Sequence, residues 1–172
     1  TIKSFDKLIK KNIKLIITVD CGATAFKPIE YASKKGIEII VLDHHQCEIK
    51  LPIAGAVINP NRIDCTSKLN YLCASGVTFL FLVALNTFLG NSNFYKKKNI
   101  KKPNLSNFLD LACLGTICDL VPLINFNRTV VKRGLEIIKQ RKNVGIRTMY
   151  DMLKINKSPD SSQIAYQIGP RI

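Results

Sequence analysis

Acidic residues are scarce in this chain, and the shortage limits which partners its surface can attract. Asp and Glu together number 12 among 172 residues, against 26 Lys and Arg, so the formal net charge is +14. Such an excess of positive charge is typical of proteins that bind polyanions, and nucleic acid is the natural candidate. The alternative is a compositional bias of the source that inflates the charge, because Lys, Ile and Asn are abundant together. The 47% of hydrophobic residues is enough for a packed core and is not typical of a disordered chain.

Paired cysteine motifs are also missing. The chain has six cysteines, and no two of them are spaced as C-x-x-C; they stand at positions 21, 47, 65, 73, 113 and 118. Several lie in apolar segments or at the ends of predicted strands, where reduced Cys behaves as a small hydrophobic side chain. We therefore expect free thiols in a reducing compartment rather than a disulfide framework.

Long hydrophobic runs and a secretory leader are absent as well. The longest apolar stretch, residues 77–85, is about half the length that a membrane-spanning helix needs. The first residues do not have the basic-then-apolar order of a signal peptide. We expect a soluble cytoplasmic protein with no membrane partner. Since the chain begins at Thr1 and stops at Ile172 without a tail, we also expect a fragment of a longer protein.

The first third of the chain alternates strand and helix patterns. Continuous apolar runs at 14–19 and 38–42 predict two strands, and the first of them is rich enough in β-branched residues to indicate a buried strand. Between them, residues 28–35 have a helical pattern that stops at Gly36. A third short strand is predicted at 54–58. This order predicts a βαβ unit, with a parallel sheet and a right-handed crossover.

The rest of the chain is predicted to be mainly helical. Five helices are predicted, at 75–89, 105–118, 129–141, 146–153 and 161–168. The predicted fold class is therefore α/β, a parallel β-sheet flanked by helices and followed by a helical segment.

Three segments organise the chain, without an internal repeat. Residues 1–90 form the predicted βαβ core, and residues 104–172 form the mainly helical part. Residues 91–103 lie between them and are rich in Asn and Lys. We expect this stretch to be a solvated, mobile loop.

Polar side chains follow two neighbouring strands at the point where each strand ends. Asp43, His44 and His45 come directly after the second strand, and Asp20 follows the first. Ligands of open parallel sheets gather at the carboxyl ends of strands, and adjacent strands lie about 4.8 Å apart, so these side chains can meet at one metal ion. Asp and His suit Mn²⁺ and Mg²⁺. The alternatives are a turn or capping role for Asp20 and backbone hydrogen bonds for the two imidazoles.

Adjacent His side chains usually diverge, so we assign them different roles. His44 is the candidate metal ligand, His45 points toward a substrate phosphate, and Asp43 orients a ring. A third acid, Asp119, stands in the apolar segment 114–123. An unpaired buried carboxylate is costly, and a metal ion is one partner that would offset the cost. A cap for the next segment is the alternative role for Asp119.

Weaker candidates lie elsewhere in the chain. Ser75 and Gly76, at the start of a predicted helix, could present backbone N–H groups to a phosphate or simply cap the helix. Arg171 could bind a phosphate bidentately or be solvated. The H-x-x-C spacing of His44 and Cys47 hints at zinc, but no second Cys/His pair completes a tetrahedral set.

Taken together, these motifs resemble the DHH phosphoesterase superfamily and, within it, the RecJ single-strand-specific exonucleases, over nearly the whole chain. The stretches that carry the resemblance are ITVDCG at 17–22, VLDHH at 41–45, AVINP at 56–60, LCASGV at 72–77, LGTICDLVPL at 114–123 and QIGPRI at 167–172. The resemblance implies that residues 1–172 are a partial DHH phosphoesterase domain, without the family's second catalytic-side domain and its nucleic-acid-binding OB-fold. Two further departures lie in the sequence itself. Ala74 stands where Gly is common, and the opening Asp-x-Asp motif of the family does not occur in this chain.

The resemblance implies a role for each matching position. Residues that match metal ligands of the family are Asp20, His44 and Asp119. Asp43 matches the acid that supports the site, and His45 matches the histidine near the scissile phosphate. Ser75 and Gly76 match a phosphate-proximal turn, and Arg171 falls in the closing stretch.

The resemblance also implies an activity. We expect a phosphodiesterase that degrades single-stranded DNA from its 5′ end in DNA repair and recombination, with a single-stranded-DNA-binding protein and a helicase as further partners. It would use two Mn²⁺ or Mg²⁺ ions, and part of their site would come from residues that this chain lacks, so activity of these 172 residues alone stays open. The alternatives are hydrolysis of short oligonucleotides or cyclic dinucleotides, and a non-catalytic nucleic-acid-binding scaffold.

Overall fold

Residues 2–172 are described by a computed structural model, and they divide into two compact units. The first unit runs to Thr78, and the second runs from Phe79 to Ile172. The boundary falls inside a long helix, and each unit has a hydrophobic core of its own.

The first unit contains the predicted βαβ arrangement. Its elements are α1 (Ile2–Lys10), β1 (Leu15–Val19), α2 (Phe26–Lys34), β2 (Glu38–Leu42), β3 (Ala56–Ile58) and the start of α3 (Ala74–Asn91). Within residues 2–172 the sheet has three strands in the order β1-β2-β3, all parallel. The predicted parallel sheet is confirmed, and the strand and helix limits of this βαβ unit agree with the sequence pattern to within two residues.

β2 lies in the centre of the sheet and supplies much of the core. Its Ile39 and Val41 are fully buried and pack with Ile29 of α2 and Phe5 of α1. Gly36 ends α2 as predicted, because its φ of +78° lies in the left-handed region that favours glycine.

The prediction of a buried first strand is wrong. β1 lies at the edge of the sheet formed by residues 2–172, and its alternate residues Leu15, Ile17 and Val19 are each close to half exposed. A run of β-branched residues reports strand propensity, whereas burial depends on what covers each face of the strand.

The second unit is helical, as predicted. After α3 come α4 (Phe94–Lys97), a 3₁₀ turn (Leu105–Phe108), α5 (Leu109–Cys118), α6 (Asn125–Lys139), α7 (Val144–Met152), α8 (Ser161–Gln163), a π-helical turn (Ile164–Ile168) and a final 3₁₀ turn (Gly169–Arg171). Two differences from prediction stand out: α4 forms inside the predicted loop 91–103, and α6 begins four residues before the predicted Thr129.

Helices α5 and α6 pack very closely at one point. An added Cβ at Gly134 would lie 2.1 Å from Cβ of Cys113 and 2.5 Å from the carbonyl oxygen of Leu109. Cys113 and the α6 residue Val130 are buried in the core around this contact. The absence of a side chain at Gly134 therefore sets the distance between the two helices.

Among residues 2–172, α3 is the one helix whose length and composition would let it cross a membrane. The apolar stretch 77–85 covers only half of it, because Asn86 and Thr87 interrupt the apolar residues. Apolar helices of water-soluble proteins share this length and composition.

All six cysteines are free thiols, and their surroundings predict very different reactivities. Hydrogen bonding to Ser67 lowers the pKa of Cys65, whereas burial raises the pKa of Cys113 to about 12. Since the thiolate is the reactive form, a lower pKa means more reaction at a given pH. With a thiol-specific disulfide reagent at pH 8, we expect Cys65 to react first and Cys113 to react only after denaturation, as the Cys65→Ser and Cys113→Ser variants would show. Equal rates for Cys113 in native and denatured protein would contradict this.

Candidate metal centre

The candidate site lies at the carboxyl edge of the sheet, where β1 and β2 end side by side. Val19 pairs with Leu42, so the next residue of each strand, Asp20 and Asp43, leaves the sheet at the same edge. The backbone N–H of Asp20 donates to the carbonyl of Leu42 at 3.0 Å. Asp20 has a φ of +62°, a left-handed conformation that Asp tolerates better than most residues. The turn therefore begins at Asp20 itself.

Three side chains converge at this edge. Nε2 of His44 lies 3.3 Å from Oδ1 of Asp20, and one donor atom from each of Asp20, His44 and His45 lies within 4.8 Å of the others. Two ligands at right angles on an ion with bonds of 2.0–2.1 Å are about 3 Å apart, so the Asp20–His44 pair fits a divalent ion. The Asp20 side chain is 62% exposed. An ion held there would therefore keep coordination positions open to solvent or substrate.

Asp43 is buried directly behind the two imidazoles. Its Oδ2 accepts from the backbone N–H of Ala23 at 2.9 Å. Its Oδ1 accepts from the backbone N–H of His44 at 2.8 Å, from that of His45 at 3.3 Å and from Nδ1 of His45 at 2.7 Å. Burial raises the pKa of Asp43, but these hydrogen bonds outweigh the burial and hold the pKa below its usual value. An ionised Asp43 can only accept, so Nδ1 of His45 carries the proton and the ring orientation is fixed.

Two asparagines that the sequence reasoning missed hold the backbone of this turn. Asn59 is buried, and its Nδ2 donates to the carbonyl of His45 at 2.8 Å. Its Oδ1 accepts from the backbone N–H of Asn61 at 2.8 Å, and the side-chain amide of Asn61 donates to the carbonyl of His44. The sequence signal for Asn59 was its position directly after β3, because the end of β3 lies at the same edge of the sheet as the site.

Gly22 makes the close approach of the first loop possible. Its φ is +118°, and an added Cβ would lie 2.8 Å from Oγ1 of Thr18 and 3.1 Å from Cγ1 of Val41. The chain can therefore turn tightly over the sheet, and the next residue, Ala23, brings its N–H to the Asp43 carboxylate. Gly22 therefore supports the site indirectly, through the hydrogen bond from Ala23 to Asp43.

The other predicted residues have the following places. Ser75 and Gly76 lie in the first turn of α3, where Oγ of Ser75 is 3.0 Å from Sγ of Cys73. Cys47 lies outside the donor cluster found among residues 2–172, and its Sγ accepts from Nδ2 of Asn59 at 3.0 Å. The zinc alternative for His44 and Cys47 therefore receives no support.

Asp119 and Arg171 belong to the second unit. Asp119 directly follows α5 as its C-terminal cap and is exposed, so the expectation of a buried carboxylate is wrong. The reason is that the buried face of α5 ends before Asp119. Arg171 is exposed and donates to the carbonyl of Gln167 at 2.7 Å. The roles of Asp119 as a metal ligand and of Arg171 in phosphate binding stay predictions.

Replacing Asp43 by Asn should lower the free energy of unfolding by about 2–4 kcal/mol, because whichever way the amide is turned, its NH₂ faces a buried N–H donor. Since the pKa of Asp43 is lowered on folding, its contribution is fully present above the ordinary value of 3.8 and is lost as the pH falls below it. Urea denaturation at pH 7 and pH 3 would measure both effects.

Asp64→Asn is the matched control, because Asp64 is exposed and pairs with Arg62 at the surface. We expect it to change the free energy of unfolding by less than about 1 kcal/mol. Similar losses in the two variants at pH 7 would contradict the buried role of Asp43.

Comparisons with known proteins found similar sequences over nearly the whole chain. Residues 1–116 match the family model described as DHH family, N-terminal domain. The single-stranded-DNA-specific exonuclease RecJ of Escherichia coli K12 is 36% identical over 169 residues, which are 97% of this chain and 29% of that protein. The chain spans less than a third of the length of each curated relative that it matches.

Solved structures give the same result for the fold. The crystal structure of RecJ in complex with Mn²⁺ from Thermus thermophilus matches with a TM-score of 0.77 and 29% identity, over 100% of this chain and 24% of that chain. A crystal structure of exonuclease RecJ bound to manganese matches with a TM-score of 0.72 and 30% identity, over 96% of this chain and 40% of that chain.

Proposed function

Since the chain belongs to the DHH family, we propose that it is part of a metal-dependent phosphodiesterase that degrades single-stranded DNA from the 5′ end. The observation that carries the proposal is the convergence of the Asp20, His44 and His45 donor atoms within 4.8 Å at the carboxyl edge of the sheet. The proposal includes a role in DNA repair and recombination in the cytoplasm. The relatives named single-stranded-DNA-specific exonuclease support the choice of substrate.

In this proposal Asp20, His44 and Asp119 hold Mn²⁺ or Mg²⁺, together with ligands that this chain does not contain. When bound, such ions polarise the phosphate and lower the pKa of the attacking water. The ligand atoms of Asp20 and His44 have the 3.3 Å separation that a shared ion requires. The open side of Asp20 leaves room for the scissile phosphate.

The residues around the metal ligands position the substrate. Asp43 fixes the His45 ring through Nδ1, so Nε2 is the atom that His45 turns toward the phosphate. When the ring is protonated at Nε2 as well as at Nδ1, a hydrogen bond from Nε2 stabilises the negative charge that develops during hydrolysis. The N–H groups of Ser75 and Gly76 and the guanidinium of Arg171 bind further phosphates. The net charge of +14 attracts the strand, so affinity should fall as the salt concentration rises.

A nuclease assay on the longest reading frame that contains these residues tests the proposal. It would use 5′- and 3′-labelled single strands and a duplex, each with Mn²⁺, with Mg²⁺ or with chelator. We expect metal-dependent release from the 5′ end of the single strand and at least about 100-fold slower release by Asp119→Ala. Asp151→Ala is the control, because Asp151 is an exposed acid of the second unit that pairs with Arg141.

The other outcomes would favour the alternatives. Hydrolysis of dinucleotides to pentanucleotides without digestion of long strands would indicate a small-substrate enzyme. Binding without hydrolysis of any substrate would indicate a scaffold. An unchanged rate in Asp119→Ala would remove that residue from the metal site.

The proposal extends to two partner proteins. A strand that enters a 5′-to-3′ exonuclease has to be unwound and kept single, so a helicase and a single-stranded-DNA-binding protein are the proposed partners. Digestion of a duplex with a 5′ overhang should then accelerate when both proteins are added. No acceleration with either one would argue against this part.

A further inference from the structure

An open, basic depression of the surface, called the cavity below, lies in the second unit at the end of α3. Its volume is about 790 Å³. Its polar lining comes mainly from three lysines and three asparagines, which are Lys96, Lys101, Lys102, Asn91, Asn93 and Asn99. None of the proposed metal ligands Asp20, His44 and Asp119 lines this cavity.

The segment that lines the cavity is folded rather than featureless. Helix α4 (Phe94–Lys97) is bracketed by Asn93 and Asn99, whose φ values of 56° and 52° are left-handed conformations that Asn tolerates. The N–H of Ile100 donates to the carbonyl of Tyr95 at 2.9 Å, which closes the turn after α4. Lys96 therefore lies in a folded helical turn, and Lys101 and Lys102 follow it directly.

Side-chain hydrogen bonds tie this turn to α3. The hydroxyl of Tyr95 donates to Oδ1 of Asn86 at 2.8 Å, and Nδ2 of Asn86 donates to the carbonyl of Pro103 at 3.4 Å. Asn86 thus fixes both the α4 turn and the end of the segment. Gly90 leaves space for the Lys102 ammonium, which lies 3.1 Å from where a Cβ of residue 90 would be.

The charges of the segment have no acidic counterpart in the sequence around them. Residues 65–109 contain six lysines and not one Asp or Glu. Lysines that line a cavity without local carboxylates repel each other, and that repulsion is relieved when an anion binds. Lys binds phosphate as a point charge, and Asn side chains donate hydrogen bonds to phosphate oxygens.

We propose that this cavity binds successive backbone phosphates of a nucleic-acid strand, without sequence preference, as a site separate from the metal centre. The choice of a nucleic-acid strand rests on the proposed function, whereas the phosphate chemistry rests on the lysines and asparagines. None of the three lysines is among the proposed metal ligands, so we expect the site to contribute to affinity for long strands rather than to the hydrolytic step itself.

A pair of triple variants in the longest reading frame that contains the chain tests this inference. Lys96→Gln/Lys101→Gln/Lys102→Gln changes the cavity, and Lys7→Gln/Lys10→Gln/Lys11→Gln removes the same charge from exposed positions at the end of α1. Affinity for a fluorescent 30-nucleotide thymidine strand would be measured in chelator over a series of salt concentrations. Melting curves would verify that both variants are folded.

We expect the cavity variant to bind at least 10-fold more weakly and the control to change less than 3-fold. Each neutralised phosphate of a single strand contributes about 0.7 to the slope of log K against log salt, so losing three contacts should lower the slope by about 2. Replacing the same three lysines by Arg should preserve the affinity. Metal-dependent hydrolysis of a dinucleotide should be the same in all variants.

Three results would overturn the inference. Equal loss in the two triple variants would indicate a diffuse charge effect, and unchanged affinity in the cavity variant would show that the strand does not bind there. Binding of the same variants to phosphatidylserine vesicles would also be measured. If the cavity variant loses vesicle binding but keeps its affinity for DNA, the lysines bind a membrane surface instead. If strand binding depends on the cavity but no substrate is hydrolysed, only the proposed function fails; if hydrolysis is metal-dependent but binding ignores the cavity, only this inference fails.

Discussion

Asp20→Asn should slow metal-dependent hydrolysis at least about 100-fold, with little effect on the fold. Removing a residue that only supports a metal ligand typically lowers metal affinity or activity about 10–100-fold, and the loss of a direct ligand should cost more. Asn has the shape of Asp but lacks its negative charge, so it should bind a divalent cation more weakly than Asp does. Asn also tolerates the left-handed φ of 62° that residue 20 adopts. The side chain is 62% exposed, so we expect the free energy of unfolding to change by less than about 1 kcal/mol.

Calorimetric titration with Mn²⁺ provides a readout independent of activity. We expect the dissociation constant of the ion to rise at least about 10-fold in Asp20→Asn. Asp64→Asn is the control, because its carboxylate is 67% exposed and belongs to the same unit but pairs with Arg62. Unchanged Mn²⁺ affinity in Asp20→Asn would mean that the ion is not held at the edge of β1.

The centre of the candidate site follows from sequence because it depends on local geometry. Two parallel strands in register place their next residues side by side, so Asp20 and Asp43 meet at one edge once the βαβ unit is recognised. The stretch from Asp43 to His45 folds as a tight turn around its own first carboxylate, which accepts from the backbone N–H groups of His44 and His45. These contacts involve residues adjacent in sequence, and sequence reasoning handles such contacts well.

Contacts between distant segments were not predictable in the same way. Asn59 reaches the carbonyl of His45 across 14 positions, and a strand-end Asn looks like an ordinary turn residue until the partner strand is placed. Helix α4 was missed for a similar reason, because its support comes from Tyr95 bonding to Asn86 on α3. Composition alone indicated a Lys-rich loop, whereas the structure has a short helix within it, and the mobility of the segment stays a prediction.

Burial was the least predictable property. The apolar runs of β1 and of α5 look alike in sequence, yet β1 has one face open and Asp119 lies past the buried part of α5. A one-dimensional pattern reports which residues prefer to be covered, and it does not report which covering elements exist. Fold class and the positions of strand ends are therefore the reliable sequence inferences for this chain, and the degree of burial is not.

Gly134→Ala should destabilise the second unit by about 3 kcal/mol or more, although Ala is the better helix former by about 1 kcal/mol. The added methyl group would lie 2.1 Å from Cβ of Cys113 and 2.5 Å from the carbonyl oxygen of Leu109. The first of these atoms is attached directly to the backbone of α5 and the second belongs to it, so neither can move aside as the end of a flexible side chain would. The two helices have to separate, which exposes the core around Cys113 and Val130.

Gly145→Ala in α7 is the matched control, because its added Cβ would meet only Oδ1 of Asn143, at an ordinary 3.5 Å. There the higher helix propensity of Ala is unopposed, so we expect stability equal to or up to about 1 kcal/mol above the parent. Urea denaturation followed by limited proteolysis of partly unfolded samples would locate the loss, with early cleavage between α5 and α6 in Gly134→Ala alone. A loss of stability in Gly134→Ala and a gain in Gly145→Ala would identify the close approach of α5 and α6 as the cause. Equal stability in the two variants would mean that these helices are farther apart than the 2.1 Å contact requires.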